Sequence, residues 1–491
     1  MKSKGRLRSE ERKIFQLLNK AIISNPFDVA RIDILKQILD IFKVEINSHP
    51  ILFDDVFPEI TRIIKRLEQR GLKRIQDFSK KDYQLMERAF LFYVYHLSIP
   101  EFDNLIRAQQ QLGTTPADVP FAKKVLSQME SYGVSSGKSL HYFALSYQLR
   151  RAYYFIHLSL VGDSPSMQNL RLALWNNVFT YDIQAYDEAL WDRMEDFATI
   201  LEGETGTGKG TAAAAIGRSA FIPFDPNKNQ FVRNFTETFI DINLSQFPES
   251  LIESELFGHR KGAFTGAVDN YKGLFERCSK HGALFLDEIG DINMATQIKL
   301  LQVIQERIFE PVGSHTQKRF AGRVIAATNR PIIELRRQGK FRDDFFYRLC
   351  SDVITVPTLR QRIEENPSEL DQMVNLLVTR MTGKDNNHRT DMILETLQRD
   401  LPKDYPWPGN VRELEQAVRS ILLKRHYYGD AMVMDIDMED SFIQDFHMGT
   451  LNAKELLNQY CHLLYKRYGT YEEVARRAQL DPRTVKKYLN H

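Results

Sequence analysis

The sequence predicts an α/β core built on a parallel sheet, set between helical regions and followed by a small helical module. Three observations carry this. Four short apolar runs, residues 198–201, 239–242, 283–286 and 324–327, alternate with longer segments of helical character, the pattern of a parallel sheet covered by helices on both faces. A glycine-rich turn follows the first run and opens an alanine-rich, helix-forming stretch, residues 211–216. Outside this span, before about residue 165 and from 359 to 430, that alternation gives way to helical segments.

The N-terminal region, residues 1–165, reads as helical throughout. Ile34, Leu35, Ile38, Leu39, Ile41 and Phe42 recur at helical spacing, as do Ile60, Ile63, Ile64 and Leu67. Gly71, Pro100 and Gly113 are natural breaks. Residues 92–99 are rich in aromatics, suited to a core or a partner surface. The α/β segment then runs from 170 to 358 and a helical segment from 359 to 430. A linker over 431–450 contains an acidic stretch at 435–445, and the last module is 451–491.

At 491 residues the chain has room for about three domains. It is 43% hydrophobic and 26% charged with a formal net charge of +2, so any nucleic-acid contact must come from a local patch. The three cysteines, Cys278, Cys350 and Cys461, are widely spaced, which fits neither a disulfide framework nor paired metal ligands. No run of about 18 apolar residues is present to span a membrane, and the basic residues 1–13 are not followed by a signal-type apolar core. A cytoplasmic protein without membrane contact is the expectation.

The glycine-rich turn reads Gly203-Glu204-Thr205-Gly206-Thr207-Gly208-Lys209, then Gly210-Thr211. A strand before it and a helix after it are the setting of a phosphate-binding loop. Glycines let backbone N–H groups close around phosphates at the positive end of the helix, and Lys209 adds a point charge. Gly210 stands where the general motif places a magnesium-binding hydroxyl, which leaves the Mg2+ ligands open. Residues 283–286 then end in Asp287-Glu288. Two adjacent acids closing a buried apolar strand are costly unless they act there. Asp287 would sit near Mg2+, directly or through water, and Glu288 would orient the water that attacks ATP. Asn243 ends the 239–242 run, where it is equally suited to cap a turn. Thr328-Asn329 ends the 324–327 run.

Between the glycine-rich turn and the acids lies Gly262-Ala263-Phe264-Thr265-Gly266-Ala267, preceded by the hydrophilic His259-Arg260-Lys261. Glycine permits a sharp reversal. A phenylalanine at such a tip either folds back onto its own domain or meets a partner. Downstream, Arg342 and Arg348 are six residues apart, about 120° off a common helical face, so spacing alone does not give them a shared target. The string Tyr405-Pro406-Trp407-Pro408-Gly409-Asn410-Val411-Arg412 makes a rigid turn, with Asn410 placed to cap the next helix and Arg412 just inside it.

Residues 451–491 carry eight basic residues against four acidic ones. Thr470 and Glu473 have capping-box spacing, and Asp481-Pro482 starts a short second helix. Val485, Tyr488 and Leu489 give that helix an apolar side; Arg483, Thr484, Lys486 and Lys487 are free to point elsewhere. This is a helix-turn-helix pattern, with a solvated basic helical pair as the alternative.

Together these motifs resemble the sigma-54-interacting AAA+ ATPases, the bacterial enhancer-binding activators, over about residues 170–425, and their Fis-type helix-turn-helix at the C-terminus. The resemblance implies an AAA+ core with a helical lid and an ATP-hydrolysing activator that forms a homo-oligomer, typically a hexamer. In that reading residues 262–267 contact sigma-54 RNA polymerase, with Phe264 and Thr265 at the contact. Thr328 and Asn329 read the γ-phosphate, Asn243 restrains the catalytic glutamate, and Arg342 and Arg348 reach a neighbour's ATP. Arg412 contacts nucleotide from the lid, and Arg483, Thr484, Lys486 and Lys487 contact upstream DNA. No family is recognisable in residues 1–165.

Overall fold

A computed structural model describes residues 5–44, 53–384, 387–429 and 452–489. The predicted linker, 431–450, and its acidic stretch lie outside the described residues. Two compact units are present: residues 1–376 with Gly409–Arg412, and residues 377–408 with 413–491.

In the first unit the strands are β1 (Thr199–Glu202), β2 (Phe224–Asp225), β3 (Gln230–Phe231), β4 (Phe239–Asn243), β5 (Ala283–Asp287), β6 (Ile308–Phe309), β7 (Lys318–Arg319), β8 (Arg323–Thr328) and β9 (Asp352–Thr355). Five of them form one sheet in the order β4-β5-β8-β1-β9, with every pairing parallel. The four apolar runs of the sequence are β1, β4, β5 and β8. The fifth strand, β9, is not legible as an apolar run, because at the sheet edge only Ile354 of its four residues is buried.

Strand alternation divides the sheet into two covered faces. Ile200, Leu284, Leu286, Val324 and Ala326 share a core with Leu256, Leu300 and Phe345, from helices Glu249–Phe257, Met294–Glu306 and Asp343–Leu349. Leu201, Ala283, Phe285, Ile325 and Ala327 point the other way, into a core with the Lys209–Gly217 helix and the N-terminal helices. Each fully buried Leu, Ile, Val or Phe among them is worth about 1.5–3 kcal/mol, and both faces contribute. The result is the predicted α/β core, parallel strands with helices on both sides.

The N-terminal region is helical as expected, from Ser9–Ile23 to Pro165–Phe179. It shares one core with the sheet, and the fully buried Arg151 shows how the two are joined. Arg151 donates to the carbonyls of Arg218 (2.6 Å) and Ala220 (2.7 Å), at the C-terminal end of the Lys209–Gly217 helix. Gln148, about one helical turn away, donates to Ser219 O at 2.9 Å. The aromatic stretch 92–99 is mainly interior: Phe92, Tyr93, Val94 and His96 are buried.

In the second unit, helix Asn387–Asp400 is followed by most of helix Asn410–Lys424 and, after 451, by helices Ala453–Tyr468, Tyr471–Ala478 and Pro482–Leu489. These last three enclose a core of Cys461, Leu464, Val474, Ala475 and Val485. The turn between the last two helices is taken by Gln479 at φ 54°, a left-handed position usually given to glycine. The capping box expected at Thr470 does not form: Thr470 makes no side-chain cap bond. Glu473 is bound instead by Arg476 and Arg477 on its own helix. Asp481 does cap its helix, accepting from Arg483 N at 2.8 Å.

Candidate functional site

The C-terminal ends of β1, β5 and β8 meet at one crevice, the usual ligand position in an open parallel sheet. β1 delivers the glycine-rich turn. Gly206 (φ 80°) and Gly208 (φ 103°) hold left-handed backbone there. A Cβ on Gly206 would lie 2.2 Å from Gly409 O, so only glycine allows that approach. The helix starting at Lys209 leaves its first-turn N–H groups without intrahelical acceptors, a ready anion site. Lys209 is buried, and its Nζ donates to the carbonyls of Gly203 (2.8 Å) and Glu204 (3.1 Å). Burial pulls its pKa down, opposed by the charges of Glu288 and Asp287.

β5 delivers the two acids. Asp287 Oδ1 accepts the N–H of Glu288 at 3.1 Å, and its Oδ2 lies 3.4 Å from the Asn243 amide. Glu288 sits at φ 58°, ψ 47°, a left-handed conformation that costs a non-glycine residue about 1–3 kcal/mol. Its carboxylate accepts the N–H of Asn329 at 3.2 Å. Burial pushes both carboxyl groups above their ordinary range, with Lys209 pulling each partly back. Asn329 also donates from its side chain to Thr205 Oγ1 at 3.0 Å. Thr328 is buried, and its hydroxyl accepts the N–H of Arg330 at 3.0 Å. Lys209, Asp287, Glu288, Thr205, Asn329 and Arg412, whose charge acts on Lys209 and Asp287, therefore converge.

Three polar side chains of this region have specific partners. Asn243 does not bond Glu288: its amide reaches Asp287, while its Oδ1 caps the following turn by accepting from Ser245 N at 3.0 Å. Asn410 is no N-cap. It sits at φ 53°, accepts Leu359 N (2.9 Å), and donates to Glu204 Oε2 (3.2 Å) and Thr205 O (3.1 Å). The Glu204 carboxylate, placed among the phosphate-loop residues by the sequence, is turned to Arg360, which forks onto both its oxygens, and to Asn410. Arg360 went unnoticed in the sequence, since a lone arginine in a helical stretch gives no signal.

Arg342 and Arg348 lie outside this convergence. Arg342 precedes helix Asp343–Leu349 and forks onto Asp344 at 2.9 and 2.7 Å. Arg348 reaches Ile304 O at 3.4 Å, and its buried Nε has no partner among the described residues.

The 262–267 loop leaves the core through a narrow neck. His259 and Tyr271 exchange backbone bonds at 3.0 and 2.9 Å, and Arg260 N donates to Val312 O at 3.0 Å. A Cβ on Gly258 would lie 2.4 Å from Tyr271 O, which makes that glycine obligatory. Above the neck, Gly262 N donates to Ala267 O (2.9 Å) and Ala267 N to Phe264 O (3.0 Å). Gly262 and Gly266 take φ 81° and 102°. Phe264 and Thr265 are exposed at the tip, with the Phe264 ring edge-on to His259 at 5.0 Å.

The donor set suits Mg2+ bound with a nucleotide. A hard carboxylate, Asp287, stands by Lys209, in keeping with a cation that takes one or two carboxylates and fills its shell with phosphate and water. No cluster of three His, Cys, Asp or Glu occurs among the described residues to hold a metal alone. Nor is any described helix long and apolar enough to cross a membrane. In the C-terminal module Arg483, Lys486 and Lys487 are exposed and Thr484 half-buried, beside the buried Val485.

Residues 183–355 match the model of the sigma-54 interaction domain. That span holds the glycine-rich turn, the 262–267 loop, Asn243, Asp287, Glu288, Asn329, Arg342 and Arg348; Arg412 and the C-terminal helices lie beyond it. The chain is 38% identical over 264 residues to the DNA-binding transcriptional regulator NtrC of Azospirillum brasilense, covering 54% of this chain and 48% of that one. It is 41% identical over 224 residues to the nitrogen fixation protein VnfA of Azotobacter vinelandii, covering 46% and 39%. To the regulatory protein AtoC of Escherichia coli (strain K12) it is 39% identical over 274 residues, covering 53% and 54%. The chain spans about half the length, or less, of these curated relatives.

Proposed function

We propose that this chain, a member of the sigma-54-interacting AAA+ ATPase family, hydrolyses ATP to drive the 262–267 loop against sigma-54 RNA polymerase and open promoter DNA. The observation that carries this is the loop itself: an exposed Phe264-Thr265 tip on a neck hydrogen-bonded to the ATPase core. The glycine-rich turn and Lys209 would bind the phosphates. Glu288 would orient and deprotonate the attacking water, with Asn329 sensing the γ-phosphate, since it touches both Glu288 and the phosphate loop. Mg2+, held near Asp287, would supply charge neutralisation on the phosphates.

Arg342 and Arg348, away from the site of their own chain, suit a role toward a neighbour's nucleotide in a homo-oligomeric ring. Arg412 approaches the phosphate loop beside Gly206. The basic helix with Arg483, Thr484, Lys486 and Lys487 would hold upstream DNA, and the N-terminal helices would regulate.

Thr265→Ala tests the central step. It is expected to keep ATP turnover within about twofold of wild type and to abolish open-complex formation on a sigma-54 promoter. Normal open-complex formation by the variant sinks the loop assignment. Loss of ATP turnover in Lys209→Ala tests the phosphate loop separately.

A further inference from the structure

A cavity of about 830 Å³ lies within the N-terminal helices, away from the crevice at the strand ends. Its walls come from helices Val29–Phe42, Tyr83–Leu97, Ser136–Tyr153 and Pro165–Phe179 and from Phe53 at the start of helix Phe53–Gln69. The volume matches a site for a small organic molecule.

The lining mixes aromatic rings with charged side chains, Glu87, Arg88, Lys138, Asp187 and Glu188 among them. The Arg31 guanidinium lies over the Phe53 ring at 4.0 Å, near Tyr95 and Tyr153. Among the described residues no carboxylate bonds it. The neighbouring cations differ: Arg150 is forked onto Asp103 at 2.6 and 2.7 Å, and Arg171 is held by the carbonyls of Leu160 and Gly162. Trp175, also on the wall and only 5% exposed, has an indole N–H without a partner among the described residues. Asp54 and Asp163 line the cavity as well.

The buried indole N–H is costly to leave unpaired, and the half-buried Arg31 guanidinium presents further free donors to the same cavity. We propose that this cavity binds a small organic anion with a flat apolar body, its acid group on Arg31 and its body among Phe53, Tyr95, Tyr153 and Trp175. Burial pulls the Arg31 pKa down to about 10, so the side chain is still a cation at neutral pH.

The position gives such a ligand a route to the ATPase. Leu149, Arg150 and Tyr153 of helix Ser136–Tyr153 line the cavity. Gln148 and Arg151 of the same helix grip the C-terminal end of the helix that Lys209 begins. One helix thus touches both.

Binding can be measured without ATP turnover, so failure of the ATPase reading would leave the test intact. The probes are 8-anilino-1-naphthalenesulfonate, an aromatic sulfonate, and N-phenyl-1-naphthylamine, the same rings without the acid, titrated by fluorescence into the full chain. Saturable binding of one sulfonate per chain is expected. Arg31→Met should weaken the sulfonate at least tenfold and leave the neutral probe within twofold, while Arg31→Lys recovers much of the loss. Filling the cavity from either wall, with Leu149→Trp or Ile32→Trp, should abolish both probes in whichever variant keeps the wild-type near-UV circular dichroism. The proposal is overturned if the wild type binds no sulfonate, if Arg31→Met binds it as wild type, or if a folded, cavity-filled variant retains both probes.

Discussion

Asn329 donates its backbone N–H to Glu288 at 3.2 Å and so holds the carboxylate at the end of β5 against the end of β8. The bond survives replacement of Glu288 by glutamine, whose side-chain oxygen also accepts. Glu288→Gln is therefore expected to keep the site's shape and ATP binding while lowering turnover by about 10²–10⁴. Removing a half-buried charge should also raise the apparent Tm of the nucleotide-free protein, by on the order of 1–2 °C. Phosphate release and thermal melting measure the two effects. Unchanged turnover would remove Glu288 from the proposed mechanism.

The raised carboxyl pKa values of Asp287 and Glu288 have opposite consequences for turnover and stability. Turnover needs the carboxylates, so it should fall with decreasing pH as the pair protonates. That acid limb should lie above the ordinary glutamate value of about 4.3. Stability runs the other way. A folded-state pKa above the unfolded one makes the folded chain bind protons more tightly, so this contribution is present at low pH and lost as pH rises through the raised values. The Tm advantage of a doubly neutral Asp287→Asn, Glu288→Gln chain should thus shrink as pH falls from 7 toward 5. A gap that widens would reverse the assigned direction of the shifts.

Glu204 ties the phosphate loop to two other segments, through Arg360 and through Asn410. It does so with its carboxylate, while its backbone carbonyl accepts from Lys209 and from Thr207. Glu204→Ala leaves those backbone bonds available and frees Arg360. The expected result is a KM for ATP raised about three- to tenfold, equivalent to about 0.7–1.4 kcal/mol, with a smaller change in kcat. Equal losses in Lys209→Ala and Glu204→Ala would place Glu204 on the phosphates instead, and steady-state kinetics separate the two.

The sheet was legible because its central strands β1, β5 and β8 are buried on both faces and so largely apolar, and the edge strand β4 still carries Phe239, Ile240 and Ile242. The phosphate loop was legible because Gly206 admits no side chain beside Gly409 O and Gly208 holds a φ of 103°. What could not be read was long-range pairing between polar groups. Asn243 bonds Asp287 across neighbouring strands, and Asn410 reaches Glu204 over 206 positions of chain. Neither distance leaves a local pattern. The Thr470 box failed for a local reason: Glu473 has two arginines on its own helix, at i+3 and i+4, that compete for the same carboxylate. The cavity around Arg31 was invisible, since its walls come from many helical segments spread between residues 22 and 188.

Arg342 is paired with Asp344 and has no bond to the phosphate loop of its own chain among the described residues. If it serves a neighbouring subunit, an Arg342→Ala chain has an intact nucleotide site and lacks only the cation it lends. A Glu288→Gln chain lacks the carboxylate and still offers the arginine. Each variant alone should turn over ATP at least about 10²-fold more slowly than wild type. Mixed in equal amounts, an Arg342→Ala subunit can receive the arginine of a Glu288→Gln neighbour, and a quarter or so of the interfaces in a randomly mixed ring then carry both groups. Activity in the mixture should rise well above the mean of the two pure variants, following co-assembly checked by light scattering. A co-assembled mixture that stays at that mean would show that Arg342 acts within its own chain or only shapes the interface.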